Sequence, residues 1–312
     1  MAIDVRNLKK QFGDKIAVAG IDLQMPTGEV WGFLGPNGSG KTTTIRMICG
    51  LLRATEGEGT CLGFDVASEA KRIKALTGYM TQKFSFWSDM TIRENLEFVA
   101  RLYRLAPLRE VVDRTLETLG LAQRQHQLAG ALSGGWKQRL ALAAVTMHEP
   151  KLLLLDEPTA GVDPQARRDF WDEIHRLTTQ CGMTVLVSTH YMDEAERCDR
   201  IVYLANGRKV TEGRVAQIID ESQLVTFRAE GPEVRRLAEA LKHRPGVEHV
   251  AYFGSALHVS GSHRQRLTEE LARVNGAPGE HGQAPWREVR PNLEDAFIAL
   301  MSRAGGDTRT HA

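Results

Sequence analysis

Gly35-Pro36-Asn37-Gly38-Ser39-Gly40-Lys41-Thr42 is the stretch on which the reading of this chain turns. It follows a short apolar run, Val30-Trp31-Gly32-Phe33-Leu34, and leads into a segment of helical texture from Thr42 to Leu52. The eight residues fit G-x-x-x-x-G-K-[ST] at every fixed position, and strand, loop and helix are the setting in which that pattern carries meaning. Its glycines let the backbone approach phosphates and turn N–H groups inward. The helix behind it offers its positive N-terminus to the same anion. Lys41 then supplies a point charge to the β and γ phosphates and Thr42 a hydroxyl to Mg²⁺. Gly35, Pro36, Asn37, Gly38, Ser39, Gly40, Lys41, Thr42 and Thr43 are therefore expected to hold ATP·Mg²⁺.

Downstream, Leu152-Leu153-Leu154-Leu155-Asp156-Glu157-Pro158 reads as a buried strand ending in two carboxylates. Asp156 at the strand end is placed to share the metal with Thr42. Glu157 is placed to orient and deprotonate an attacking water, a role typically worth ~10²–10⁴-fold in rate. Between the two motifs the texture changes. Ile92, Leu96, Val99, Leu102 and Tyr103 recur at helical spacing behind a cap at Asp89 or Thr91, and Leu108 to Leu119 reads as a second helix stopping at Gly120. Strand signals return at Lys151 to Asp156 and Thr184 to Ser188, which implies a largely parallel sheet.

Beyond about Glu212 the composition shifts. Strand Leu224 to Ala229, helix Glu233 to Lys242, strands Val247 to Tyr252 and Ala256 to Ser260, helix Gln265 to Val274, a Gly/Pro-rich loop, strand Trp286 to Val289 and helix Leu293 to Ser302 follow in turn. This βαββαβα order suggests a small split-βαβ sandwich. The 312 residues suffice for two domains, and with 42% apolar and 25% charged residues the balance is that of a globular protein. A formal net charge of +1 excludes a bulk electrostatic demand for nucleic acid, and no nucleic-acid partner beyond ATP is expected. Cys49, Cys61, Cys181 and Cys198 lack metal-ligand spacing and read as reduced thiols. The start of the chain has no secretory pattern, and its most apolar run, Leu152 to Leu155, is far too short for a bilayer span. A membrane role would come through a partner subunit.

A third motif adds a resemblance. Leu132-Ser133-Gly134-Gly135-Trp136-Lys137-Gln138-Arg139, between Lys41 and Asp156, resembles the signature of ABC-type ATPases. The resemblance covers about Ala2 to Glu212. It implies an α/β P-loop NTPase core of the ABC ATPase type over residues 1–220, with a helical signature subdomain at about 83–140. A small α+β, ferredoxin-like domain over 221–304 and a flexible tail over 305–312 complete the expected organisation. Gln82 looks like the family's Q-loop glutamine, touching Mg²⁺ or water, and Ala160-Gly161-Val162-Asp163 resembles its D-loop. His190 resembles the histidine that contacts the γ-phosphate, and Phe12 sits where an aromatic ring stacks on adenine. By this likeness Lys41, Gln82, Glu157 and His190 carry the chemistry, Thr42, Gln82 and Asp156 the metal, and Ser133, Gly134, Gly135 and Asp163 join the nucleotide site.

The family's mechanism implies two chains meeting head to tail, with Ser133 and Gly135 of one facing the phosphate held by Lys41 of the other. A second copy of the chain and an integral-membrane permease are the expected partners, at the cytoplasmic face of the membrane. Trp136 departs from the small, amide or aliphatic residue usual there, and Phe12 from the commoner tyrosine. Tyr79-Met80-Thr81-Gln82, followed by the aromatics Phe84, Phe86 and Trp87, and Asn292-Leu293-Glu294-Asp295-Ala296-Phe297 resemble ATPase subunits of ABC-2-type exporters of drugs, lipids and other amphiphiles. An importer ATPase, or a soluble ABC ATPase without a transport role, is the alternative.

Overall fold

The computed structural model describes residues 1–275 and 285–306. Two compact units divide the chain, Met1–Glu212 and Gly213–Ala312.

The first unit begins with β1 (Ile3–Phe12), β2 (Lys15–Met25) and β3 (Val30–Leu34), followed by α1 (Lys41–Ile48), β4 (Glu56–Cys61), β5 (Phe64–Asp65), α2 (Ala70–Ala75) and β6 (Thr77–Met80). Three helices come next, α3 (Ile92–Leu102), α4 (Leu108–Thr118) and α5 (Gly134–Thr146). Then β7 (Leu152–Asp156), α6 (Pro164–Cys181), β8 (Thr184–Thr189), α7 (Met192–Ala195), β9 (Arg200–Ala205) and β10 (Arg208–Gly213) run to the boundary. Six strands form one sheet in the order β10-β9-β3-β8-β7-β6, and β6, β7, β8, β3 and β9 pair in parallel. All residues of β3, β7 and β8 are buried, as in a strand covered on both faces, which explains why they read as unbroken apolar runs.

A second sheet, β2-β1-β4-β5, is antiparallel throughout; its first strand contains the alternating run Ile3 to Leu8, and the turn legible at Gly13-Asp14 joins it to β2. One apolar core joins the sheets through α1. Ile21 and Leu23 of β2, Phe33 of β3, Ile45 and Ile48 of α1 and Leu154 of β7 belong to it. Helix α3 starts on a reciprocal cap: Thr91 accepts from the Glu94 backbone while the Glu94 side chain accepts from that of Thr91. Of the two expected caps, Thr91 is the one used. Helix α1 ends at Ile48, short of the expected Leu52, because Cys49 and Gly50 turn the chain, Gly50 at φ +67°.

The second unit holds α8 (Val215–Glu221), β11 (Val225–Glu230), α9 (Val234–Leu241), β12 (His249–Phe253), β13 (Ala256–Gly261), α10 (Arg264–Asn275), β14 (Arg287–Val289) and α11 (Leu293–Gly306). Its sheet order is β12-β13-β11-β14, antiparallel at each pairing, which is the split-βαβ arrangement with the first strand between the third and fourth. Leu237 and Leu241 of α9, Leu257 and Val259 of β13 and Leu267 of α10 form its core. The units divide at 212/213, not at the expected 220/221, because α8 packs against α11. The tail expected at 305–312 is helical through Gly306; its remainder, and the centre of the Gly/Pro-rich loop, lie outside the described residues.

Helix α6 is anchored at both ends and in the middle. Asp163 caps it, accepting from Gln165 N at 3.1 Å and Ala166 N at 2.9 Å, Pro164 opens it, and Gly182 ends it in the left-handed conformation. Trp171 at its centre is fully buried. Trp171→Ala is expected to cost about 3–5 kcal/mol of stability in the first unit, read as a lowered midpoint in urea denaturation followed by far-ultraviolet circular dichroism.

Candidate functional site

The site lies where the parallel strands end together. Leu34 pairs with Thr189, Asp156 with Ser188, and Met80 with Leu155. The loops that follow β3, β6, β7 and β8 are thus brought to one edge of the sheet, the usual place for a ligand in an open α/β fold. Those loops carry Lys41, Gln82, Glu157 and His190.

The phosphate loop is tight. Gly35 has φ +151°, and a Cβ there would stand 2.1 Å from the Leu204 carbonyl oxygen; at Gly40, φ +102°, it would stand 2.8 Å from that of Ala17. Only glycine fits either place. Ser39 is buried and its Oγ has no hydrogen-bond partner within the protein, an inward polar atom for a ligand oxygen to satisfy. Lys41 is 5% exposed and its Nζ donates to the carbonyls of Gly35 at 2.7 Å and Pro36 at 3.1 Å. Burial pushes its ammonium below the usual lysine range, while Glu157, 3.8 Å away, and Asp156 act in the other direction. An arriving phosphate would add to the charges that keep it protonated.

Asp156 is the most constrained group in the site. Its Oδ1 accepts from Thr42 Oγ1 at 2.8 Å and from Ser188 Oγ at 2.7 Å. Its Oδ2 accepts from the Tyr79 hydroxyl at 3.4 Å, and Arg46 Nε donates to that hydroxyl at 3.3 Å. Glu157 takes φ +48°, rare for a residue with a side chain, and its N–H is fixed on Ser188, 3.1 Å from the carbonyl and 3.0 Å from Oγ. Glu157 Oε2 accepts from Gln82 Nε2 at 2.9 Å and lies 3.4 Å from His190 Nδ1. A carboxylate so placed, with an amide and an imidazole on one oxygen and Lys41 near the other, can orient a water and take its proton.

Thr42 and Asp156 are hard oxygen donors, the type Mg²⁺ selects. Among the described residues no group of three or more His, Cys, Asp or Glu could hold a metal alone. The pair suits a cation shared with phosphates and water, not one caged by protein. Phe12, half exposed, lines the same cleft as Asn37, Gly38, Lys41, Thr42, Gln82 and Glu157. Lys10 Nζ lies 5.1 Å from its ring centroid.

Ser133, Gly135 and Asp163 line a different cleft. Ser133 stands at the N-cap position of α5 without using its side chain there, and Gly134 and Gly135 form the first turn. A Cβ on Gly135 would fall 2.5 Å from that of Ala166, so glycine lets α5 meet α6. Trp136 beside it lies between two guanidinium groups, Arg124 at 4.5 Å and Arg139 at 5.0 Å from the ring centroid. These cation–π contacts give the unusual tryptophan a local reason. Ser188, Tyr79 and Arg46 were missed in the sequence. The signal for Ser188 was a hydroxyl closing an apolar strand two residues before His190; nothing local marks the other two.

Comparison with known proteins agrees with this geometry. The family model described as ABC transporter matches residues 18–160. The chain is 43% identical over 213 residues to the probable multidrug ABC transporter ATP-binding protein YbhF of Escherichia coli, covering 68% of this chain but 37% of that protein. It is 36% identical over 305 residues to the Nod factor export ATP-binding protein I of Burkholderia orbicola, covering 96% of this chain and 97% of the relative. Among solved structures, the dimeric post-hydrolysis ATP-binding cassette MJ0796 bound to ADP and Pi superposes with a TM-score of 0.62 at 28% identity, over 68% of this chain and 98% of that one. The Clostridium perfringens cbiO1, part of the ABC transporter complex cbiONQ, gives 0.65 at 26% identity, over 76% and 94%. The chain belongs to the ABC transporter family, among its ATP-binding proteins.

Proposed function

We propose that this chain is the ATPase subunit of an exporter, working as a homodimer that closes on two ATP·Mg²⁺ and drives a separate integral-membrane permease. The observation that carries the dimer is the split of its nucleotide-binding residues. Lys41, Thr42, Asp156, Glu157, Gln82 and His190 gather at one sheet edge, whereas Ser133 and Gly135 line another cleft. A second copy, placed head to tail, would set Ser133, Gly135 and the N-terminus of α5 against the phosphates of the first. Each nucleotide would then join two chains, and loss of the γ-phosphate would release them.

In that site Thr42 and Asp156 would hold the cation, which would neutralise phosphate charge. Lys41 and the loop amides hold the phosphates. Glu157 orients the water, and Gln82 and His190 fix the Glu157 carboxylate. Phe12 offers a face to the base.

Export is supported by the names of the relatives, one a multidrug and one a Nod factor export ATP-binding protein. Drugs, lipids and other amphiphiles are the proposed cargo class. No helix among the described residues is long and apolar enough to cross a membrane, so the permease supplies the path and holds this subunit at the cytoplasmic face. The surface beside Gln82 suits such a partner. Trp87 is 45% exposed and packs edge-on against Phe98, 40% exposed, at 4.3 Å between ring centroids; Leu102 on the same helix as Phe98 is 70% exposed. Asn95, fully buried, holds the segment by accepting from Trp87 N at 3.0 Å and donating to its carbonyl at 3.1 Å. The rings are thereby presented outward as an apolar patch.

Glu157→Gln keeps the site's shape and removes the base. Its ATP hydrolysis is expected to fall by roughly 10²–10⁴-fold while a fluorescent ATP analogue still binds, and light scattering with ATP·Mg²⁺ should show a dimer. Retained turnover would remove Glu157 from its role, and a monomer under those conditions would remove the two-chain site. In vesicles carrying the full transporter, Trp87→Asp should abolish ATP-driven transport while basal hydrolysis by the subunit stays near wild type; undiminished transport would place the permease elsewhere.

A further inference from the structure

The phosphate side of the site and the segment that lines the second cleft are tied together by a buried carboxylate absent from the chemistry above. Glu194, on the short helix α7, is 1% exposed. Its Oε2 accepts from Thr189 Oγ1 at 2.6 Å, and its Oε1 accepts from Thr159 Oγ1. Arg167 Nε stands 3.6 Å from Oε1 as the counter-charge. A buried carboxylate is tolerated only when paired and hydrogen-bonded in this way, so the three partners are held to it and through it to one another.

Each partner belongs to a different working segment. Thr189 immediately precedes His190, and its Oγ1 also accepts from Tyr191 N at 3.0 Å, so the turn that carries His190 is closed on both sides. Thr159 opens the segment from Pro158 to Asp163: Ala160 N donates to the Glu157 carbonyl and Val162 N to that of Thr159. Arg167 stands on α6 one turn beyond Asp163, its N–H bonded to the Asp163 carbonyl at 3.0 Å. Its guanidinium also lies over the Tyr191 ring, 4.5 Å from the centroid, and that ring is 4.1 Å from the imidazole of His190. The charged groups facing Glu194 are thus Arg167 and, through the same guanidinium, Asp193 at 3.3 Å.

We infer that Glu194 is a positioning residue that locks the His190 turn to the Thr159–Asp163 segment, so that the residue beside Glu157 and the residue lining the opposite cleft move as one body. The consequence rests on the two-copy reading proposed above: a change at the phosphate held by one chain would reach, through Glu194, the Asp163 that lines the second cleft with Ser133 and Gly135. The hydroxyls of Thr159 and Thr189 are both bonded to the Glu194 carboxylate. Their work is to hand the position of one segment to the other.

Glu194→Gln in the full chain is the test, because it keeps the volume and one acceptor oxygen but removes the charge that holds Arg167. The expected result is a split. The dissociation constant of a fluorescent ATP analogue stays within about twofold of wild type while kcat falls roughly 10- to 100-fold, the scale that follows from misplacing a catalytic group by a fraction of an ångström to an ångström. The Hill coefficient for ATP should fall towards unity. A residue of merely structural importance would lower binding and turnover together, in step with the folded fraction, and that outcome overturns the inference, as does an unchanged kcat. Should Glu194→Gln fail to fold, Thr159→Val removes one arm and leaves the charge pair; it should lower the Hill coefficient with nucleotide affinity retained, and unaltered cooperativity would overturn the inference. Glu157→Gln forming its ATP-bound dimer while these variants behave as wild type sinks this inference alone. A Glu157→Gln protein that stays monomeric sinks the two-copy reading instead.

Discussion

The oxygen Oδ1 of Asp156, shared by the hydroxyls of Thr42 and Ser188, fixes the geometry on which the rest of the site depends. Three strands have to end in register for those hydroxyls to reach it. Thr42 opens the helix that follows β3, Asp156 closes β7, and Ser188 lies opposite Asp156 on β8. The apolar core beneath, with Phe33, Ile45 and Leu154 packed together, sets that register. In a parallel ladder a slip of one residue would turn every side chain to the other face. It would carry the Asp156 carboxylate away from the hydroxyls of Thr42 and Ser188. The hydrophobic pattern and the catalytic geometry are in this sense one constraint.

Motif-bearing parts of the structure were legible because each rests on local chemistry. Gly35 to Thr42 needs glycines where a Cβ would collide with Leu204 or Ala17, and that need shows in the sequence as a spacing. The second unit was read strand by strand because alternation and amphipathic helices mark each element, as in α9, where Val234, Leu237, Ala238 and Leu241 are the buried face. The strand at Ile3 to Leu8 and the turn at Gly13-Asp14 were legible, but the pairing of β1, β2, β4 and β5 into one antiparallel sheet was not. Glu56 to Cys61 carries two glycines and two glutamates and has no strand signature; it is a strand because β1 supplies a ladder, from Ile3 opposite Cys61 to Arg6 opposite Glu58. Tyr79 and Arg46 escaped for a similar reason. Their value lies in a chain of two hydrogen bonds to Asp156 that joins residues far apart in sequence.

The boundary between units shows the same limit. A composition shift near Glu212 was visible, yet α8 could be assigned only from its packing against α11. Linker and helix look alike in seven residues, and the apolar contact that decides between them is made with the far end of the chain.

Electrostatics give the phosphate site its logic. Asp156 and Glu157 both lie close enough to act on Lys41, and a triphosphate brought beside them would meet two carboxylates and one partly desolvated ammonium. Unit charges about 4 Å apart interact by roughly 4 kcal/mol in surroundings of intermediate polarity, so the two carboxylates oppose a phosphate that Lys41, the loop amides and the N-terminus of α1 attract. The hydroxyl of Thr42 and the carboxylate of Asp156 converge in one place, where a divalent cation would offset the carboxylate charge. Glu157 sits at a left-handed backbone turn and its carboxylate is held by the Gln82 amide. Of two adjacent carboxylates in one sequence, one is bonded to the hydroxyls of Thr42 and Ser188 and the other to the Gln82 amide, a division that suits the two roles proposed for them.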